Sequence, residues 1–241
     1  MHKPRQLRIA GYPNVRGTPS AQRNKMNNII GLNNTNIGIK EANEFTDRIG
    51  IIYPGQSYYL SAPSLFYLQP IFINNKMQYF GIDTRYGDNS EYLISDSMTK
   101  TKWIETDSEL IGECIKKKTN EFNQKIYIGK SLGTAHLYNQ IRQKYINKND
   151  IVIFQTPIMP YTELQELLIE KEIKSFIVYG TNDYTIKKQN FSRISSKGIV
   201  KVLEIEDAGH SFEEETKVDK SIENLKEVML GIELFIGSNL K

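Results

Sequence analysis

Gly129-Lys130-Ser131-Leu132-Gly133 is a G-x-S-x-G that follows the strand-like Lys125–Ile128 and precedes the helix-like Thr134–Tyr145. A serine on a tight strand-to-helix turn crowds its neighbours, and glycines two residues to either side let the backbone pass. The gain is an exposed hydroxyl beside a helix N-terminus, where negative charge is favoured. The chemistry implied is nucleophilic attack by Ser131. Gly129-Lys130-Ser131 also looks like the end of a phosphate-binding loop. That motif needs a glycine five residues before Gly129, where this chain has Gln124, and the preceding residues are strand-like. The phosphate-loop alternative fails.

A nucleophilic serine needs a base, and neutral imidazole is the usual one near pH 7. The chain has 3 histidines. His2 lies in the N-terminal stretch, and His136 lies on the helix after Ser131, where packing or a solvent-facing position accounts for it. His210, in Asp207-Ala208-Gly209-His210-Ser211-Phe212, follows the last strand-like run and is the base by position and by elimination. Its carboxylate partner is expected to be Asp183, because Ser175–Tyr179 reads as a strand running into Gly180-Thr181-Asn182-Asp183. Asp207 is the rival, but three residues before His210 it is better suited to shaping the turn. An oxyanion hole needs two backbone N–H donors. Leu132 supplies one, and the Tyr53-Pro54-Gly55-Gln56-Ser57 turn supplies the other, from Gln56 first and Ser57 next. Ser57, Tyr58, Lys130 and Tyr184 are candidate substrate contacts, with Tyr59 nearby. For the tyrosines, packing or surface exposure is an equal alternative. Lys130 is read as a solvated side chain, or, with Arg85, as a cation that attracts carboxylate-bearing substrates.

These residues need a scaffold that gathers strand ends. Short apolar, β-branched or aromatic runs occur at Ile49–Tyr53, Gln78–Ile82, Lys125–Ile128, Ile151–Phe154, Ser175–Tyr179 and Val200–Ile205, most ending at Gly, Pro or Asp. Helical patterns alternate with them. Thr106-Asp107-Ser108-Glu109 and Thr162-Glu163-Leu164-Gln165 read as capping boxes. They open the faces Ile111/Ile115 and Leu164/Leu167/Leu168. Ile222, Leu225, Met229, Ile232 and Phe235 form a late helical stripe. Strands alternating with helices predict an α/β fold, a mostly parallel sheet with helices on both faces. The first 45 or so residues, with Asn28–Leu32 as an apolar piece, read as a hairpin or meander leading into the core.

Composition narrows the functional classes. At 241 residues, 39% hydrophobic and 24% charged, the chain is an ordinary globular one. The net charge of +3 argues against a nucleic-acid binder, which needs a concentrated basic face. The run Lys116–Lys118 is expected at the solvated end of a helix. A single cysteine, Cys114, excludes an internal disulfide, and with so few histidines neither a metal nor another cofactor is expected. No run approaches the ~18 apolar residues of a membrane span, and no signal-like stretch follows Met1. A cytoplasmic protein without a membrane partner is the expectation.

From about Arg48 to Ile236 the sequence resembles the α/β-hydrolase superfamily. Pro54-Gly55-Gln56, Gly129–Gly133, Gly180–Asp183 and Ala208–Phe212 fall in the family's order, as do Ser131, Asp183 and His210. Asp83-Thr84-Arg85 through Ser90 is similar to the family's D-x-R-G-x-G-x-S turn, with Tyr86 and Asp88 where glycines are usual. Another departure is Tyr53-Pro54-Gly55 where many members have His-Gly. The resemblance is closest to small carboxylesterases and dienelactone-hydrolase-like proteins, although the latter often use cysteine where this elbow holds serine. It implies one hydrolase domain, with 1–47 an extension and 48–237 the core. It also implies cleavage of a small carboxylic ester through Ser131, His210 and Asp183 and an acyl-enzyme. Amide, thioester or carbon–carbon bond hydrolysis by the same residues, or a non-catalytic binding protein, are the alternatives. Lids in such folds usually follow the strand after the nucleophile helix. Here Gln155–Tyr161 leave no room for one, so an open site without a sizeable cap is expected.

Overall fold

The computed structural model describes residues 27–32, 36–42, 46–186, 198–214 and 216–240. The strands are β1 (Asn27–Ile30), β2 (Asn36–Ala42), β3 (Arg48–Tyr53), β4 (Gln78–Asp83), β5 (Gln124–Lys130), β6 (Ile151–Gln155), β7 (Lys174–Gly180) and β8 (Val200–Ile205). The helices are α1 (Pro63–Phe66), α2 (Leu68–Asn74), α3 (Ser90–Ile94), α4 (Ser97–Lys118), α5 (Leu132–Arg142), α6 (Tyr161–Glu170) and α7 (Val218–Gly237).

One eight-stranded sheet runs in the order β1-β2-β4-β3-β5-β6-β7-β8. β3 to β8 are parallel, while β1 and β2 form an antiparallel hairpin on the β4 edge. The expected hairpin or meander thus includes an antiparallel strand pair, β1 with β2; residues 1–26, with His2, as well as 33–35 and 43–45, lie outside the described residues. Alternation along the strands sends Ile51, Tyr53, Tyr127, Phe154 and Ile177 to the layer of α4, α5 and α6. It sends Ile52, Ile126, Ile128, Ile153 and Val178 to the layer of α1, α2 and α7. Both faces are covered, which is why the strands read as near-continuous apolar runs.

Strand order reverses at β3, which has β4 on one side and β5 on the other. Such switch points leave a crevice at the carboxyl ends. Register pairs Tyr53 with Gly129, Gly129 with Phe154 and Gly180 with Ile205, so these ends share one edge.

Several local expectations change. α4 starts at Ser97, capped by Asp96, whose carboxylate accepts from the Thr99 N–H at 2.8 Å. Thr106 is mid-helix and bonds back to the Lys102 carbonyl. Asp107 is buried and accepts from the Leu32 N–H (2.8 Å) and the Tyr86 hydroxyl (2.7 Å). The apparent capping box is thus a buried polar cluster. α6 starts at Tyr161 after Pro160 without a side-chain cap, so Thr162 already lies inside it. α5 begins at Leu132 rather than Thr134. The α7 stripe is Asn224, Val228, Ile232, Phe235 and Ile236, while Ile222 is 62% exposed. Of the expected stripe, Ile232 and Phe235 are buried and Leu225 and Met229 half-buried at its margin. Ile111, Ile115, Leu164, Leu167 and Leu168 are buried as expected, and Lys116–Lys118 form the last turn of α4.

Candidate active site

Ser131 occupies a strained turn, φ 51° and ψ −116°, between β5 and α5. Its N–H donates to the Gln155 carbonyl at 2.9 Å, tying the turn to β6. A Cβ on Gly133 would meet the Tyr53 carbonyl oxygen at 2.2 Å, and one on Gly129 would meet the Gly133 oxygen at 2.7 Å. The two glycines are therefore needed for close approach of strand, turn and helix, the reason anticipated from their spacing.

His210 comes from the loop after β8. Its Nε2 lies 2.7 Å from Ser131 Oγ and its Nδ1 lies 2.8 Å from Asp183 Oδ2. Asp183 sits just beyond β7 with its side chain fully buried. Its other oxygen accepts from the Thr185 N–H (2.8 Å) and the Thr185 hydroxyl (2.7 Å). Burial alone would raise the Asp183 carboxyl. The hydrogen bonds from His210 and Thr185 outweigh it and hold the group below the usual carboxylate range. An ionised Asp183 carboxylate can only accept, so the contact calls for a proton on His210 Nδ1, the tautomer that leaves Nε2 facing Ser131 Oγ as an acceptor.

The rival residues lie elsewhere. Asp207 is exposed at φ 59°; its N–H donates to the Thr181 hydroxyl and its carbonyl accepts from Asn182. It shapes the turn. His136 is buried on α5, with Nδ1 2.8 Å from Ser108 Oγ and its ring stacked on Tyr86, and burial pushes its imidazole down to about 3. The packing role expected for it is the one observed.

Around the elbow, a Cβ on Gly55 would lie 3.3 Å from Ser131 Cβ, so the β3 turn abuts the serine. The Gly55 N–H is used by the Tyr58 carbonyl. Among the described residues, the N–H groups of Leu132, Gln56 and Ser57 have no protein acceptor. The Gln56 carbonyl accepts from the Gly87 N–H at 2.7 Å, so the Asp83–Ser90 turn supports the β3 turn. Tyr86, where glycine is usual, is buried against Tyr92 and Asp107. Ser57 and Tyr184 are exposed, and the Tyr184 ring lies 5.4 Å from that of His210. Tyr58 is half-buried and donates to Glu213, and the Tyr59 hydroxyl donates to Asp88. Arg85 is tied to Asp83 and Asp88.

Lys130 contradicts the sequence expectation. It is 1% exposed, buried rather than solvated. Period-two alternation places it on the row of Ile126 and Ile128, beneath the His210 loop. Thr185 and Thr156, which hold Asp183 and Lys130, had no sequence signal: their roles depend on contacts between loops.

Between β6 and α6, residues 156–160 contain no helix. A cleft of about 340 Å³ between α4, α5 and the start of α6 is lined by Leu132, Ala135, Tyr138, Ile158 and Met159 together with Lys100, Glu105, Arg142 and Glu163; of the candidate site residues, Leu132 lines it. Residues 187–197, part of the expected rim after Asp183, lie outside the described residues.

No protein-family model matches the chain, and no curated protein matches its sequence. Solved structures do. A dienelactone hydrolase from Anabaena variabilis aligns with TM-score 0.64 at 12% identity, over 90% of this chain and 97% of that one. Est1E from Butyrivibrio proteoclasticus gives 0.61 at 13%, over 89% and 98%. The esterase Pf2001 from Pyrococcus furiosus gives 0.62 at 13%, over 89% and 91%. The fold is that of the α/β-hydrolases. In this chain the turns after β5, β7 and β8 bring Ser131, Asp183 and His210 together at the carboxyl ends of the strands. Similarity at this identity speaks for the fold and for hydrolases as its structural neighbours. No described helix is long and apolar enough to cross a membrane.

Proposed function

We propose that the chain is a serine hydrolase that cleaves a small carboxylic ester. The observation that carries this is the continuous chain of contacts from Ser131 Oγ to His210 Nε2 (2.7 Å) and from His210 Nδ1 to Asp183 (2.8 Å). His210 takes the Ser131 proton as Oγ attacks the carbonyl carbon. The Leu132 and Gln56 N–H groups receive the developing oxyanion, with Ser57 as the alternative second donor. Collapse of the tetrahedral intermediate expels the alcohol, which takes the proton from His210. Water, deprotonated by the same imidazole, then hydrolyses the acyl-enzyme. Asp183 holds the imidazole tautomer and stabilises its protonated form.

In this scheme the acyl group extends from Ser131 toward Leu132, which lines the cleft shared with Ile158. At about 340 Å³ it is at the small end for ligand pockets, which favours short or compact acyl groups. Ser57 and the exposed Tyr184 border the alcohol side in this scheme. The reaction needs no cofactor, and its partner is a small-molecule ester. A fluorophosphonate probe should label Ser131 in the wild-type chain and leave Ser131→Ala unmodified. A folded wild-type chain that resists labelling, and turns over no member of an ester panel, would refute the proposal.

A further inference from the structure

Lys130 is adjacent to Ser131 in the chain, yet its side chain lies on the opposite side of the sheet edge. Its ammonium donates to Thr156 Oγ1 at 2.7 Å and to the backbone carbonyl of His210. The Phe212 ring centroid is 4.3 Å from Nζ and that of Tyr58 is 5.4 Å away. Among the described residues no carboxylate hydrogen-bonds to it; Asp183 and Glu213 act on it only through space. Desolvating an ammonium without an ion-pair partner is unfavourable by several kcal/mol. Burial accordingly pushes Lys130 down to about 7. A methionine would fill a similar space without that penalty, so stability does not explain a lysine here.

Geometry does. The loop after β8 is held before His210 by the Asn182 N–H on the Ala208 carbonyl (3.0 Å), and after it by Asn224 Nδ2 on the Phe212 carbonyl (3.0 Å). Between those ties the His210 peptide itself is held by Lys130, which is anchored in turn on Thr156 at the end of β6. Gln155, the neighbour of Thr156, also receives the Ser131 N–H. One buried amino group thus connects the peptide of the base to the strand ends that set the nucleophile. We propose that Lys130 is a positioning residue for His210, clamping its backbone to the β5 and β6 ends so that the imidazole stays aligned with Ser131. This rests on the roles assigned above to Ser131 and His210.

The test is Lys130→Met, which keeps length and removes the donor, beside Thr156→Val and Thr156→Ser. Displacing a catalytic group by about 1 Å can lower the rate ~100-fold. Lys130→Met should therefore lose roughly 10- to 100-fold in kcat and in fluorophosphonate labelling rate, with KM within about threefold, because the substrate pocket is untouched. Thr156→Val should lose part of this and Thr156→Ser should recover most of the loss. The downfield Nδ1–H proton resonance of His210 should broaden in Lys130→Met. A folded Lys130→Met with wild-type kcat overturns the clamp. If Lys130→Met does not fold, the Thr156 pair decides: equal kcat in Thr156→Val and wild type, or equal loss in Val and Ser, overturns it. A wild-type chain that is folded but unlabelled at Ser131 instead overturns the underlying assignment, and the clamp with it.

Discussion

Gly180→Ala is a stringent test of how the site is assembled. Gly180 is the last residue of β7, paired with Ile205, and the chain reaches Asp183 three residues later. A Cβ there would stand 2.0 Å from the Ala208 carbonyl oxygen, 2.5 Å from its carbon and 2.8 Å from the Gly209 oxygen. Real Cβ atoms essentially never approach within 3.0 Å, so the segment carrying His210 must retreat by at least about 1 Å. The Asn182 N–H bond to the Ala208 carbonyl is lost or lengthened in the same movement. Such a shift of the base predicts roughly a 100-fold fall in kcat/KM. Overpacking of this kind also costs about 1–3 kcal/mol of stability, or roughly 2–12 °C in Tm for a chain of this size. The matched control is Gly209→Ala, one residue from the base, where a Cβ meets nothing within 4 Å. It should retain activity within about threefold, since no atom has to move. Hydrolysis of a short p-nitrophenyl ester and thermal unfolding of both variants measure the two effects. A folded Gly180→Ala with wild-type kcat/KM, or equal damage in Gly209→Ala, would refute the reasoning.

Asp183→Asn should lower kcat by up to ~10⁴-fold, the effect of a wrong imidazole tautomer in a serine protease, while Asp207→Asn stays near wild type. His210→Ala should abolish turnover in steady-state assays, whereas a folded His136→Asn should retain much of it. His136 also predicts an acid limb in stability. Its imidazole is pushed from 6.5 to about 3, so between those values the unfolded chain binds a proton that the folded chain does not. Stability therefore falls as pH drops below 6.5, with a contribution of about 3 kcal/mol by pH 4.5. Urea unfolding at pH 7 and pH 4.5 should show a smaller loss in His136→Asn than in wild type; an equal loss would refute this. Across a series of acyl esters, kcat/KM should rise by at most ~0.8 kcal/mol per buried methylene and level off early. A steady rise through long chains, or a jump above the solubility limit, would contradict the small cleft.

What the chain shows before folding is local or nearly so. Six parallel strands are legible because strands buried on both faces are short apolar runs ending at turn residues. The elbow is legible because its glycines fall at a fixed spacing around the serine: Gly129 answers a contact within the turn, the Gly133 peptide, although Gly133 itself answers the Tyr53 carbonyl of a distant strand. His210 follows from scarcity, since few histidines compete for the role. Other features depend on distant parts of the chain. Thr106–Glu109 imitates a capping box in sequence, but Asp107 within it accepts from an N–H 75 residues away, and α4 had already begun at Ser97. Asp183 and Asp207 both lie at strand ends; a 2.8 Å contact across 27 residues distinguishes them. Lys130 looks solvated because lysine usually is, and the loop that buries it arrives 80 residues later. Sequence periodicity determined which faces of the strands are covered. Which polar atoms meet under that cover was decided by tertiary packing, because hydrogen bonds need angstrom-scale placement of groups that the chain's local pattern does not relate.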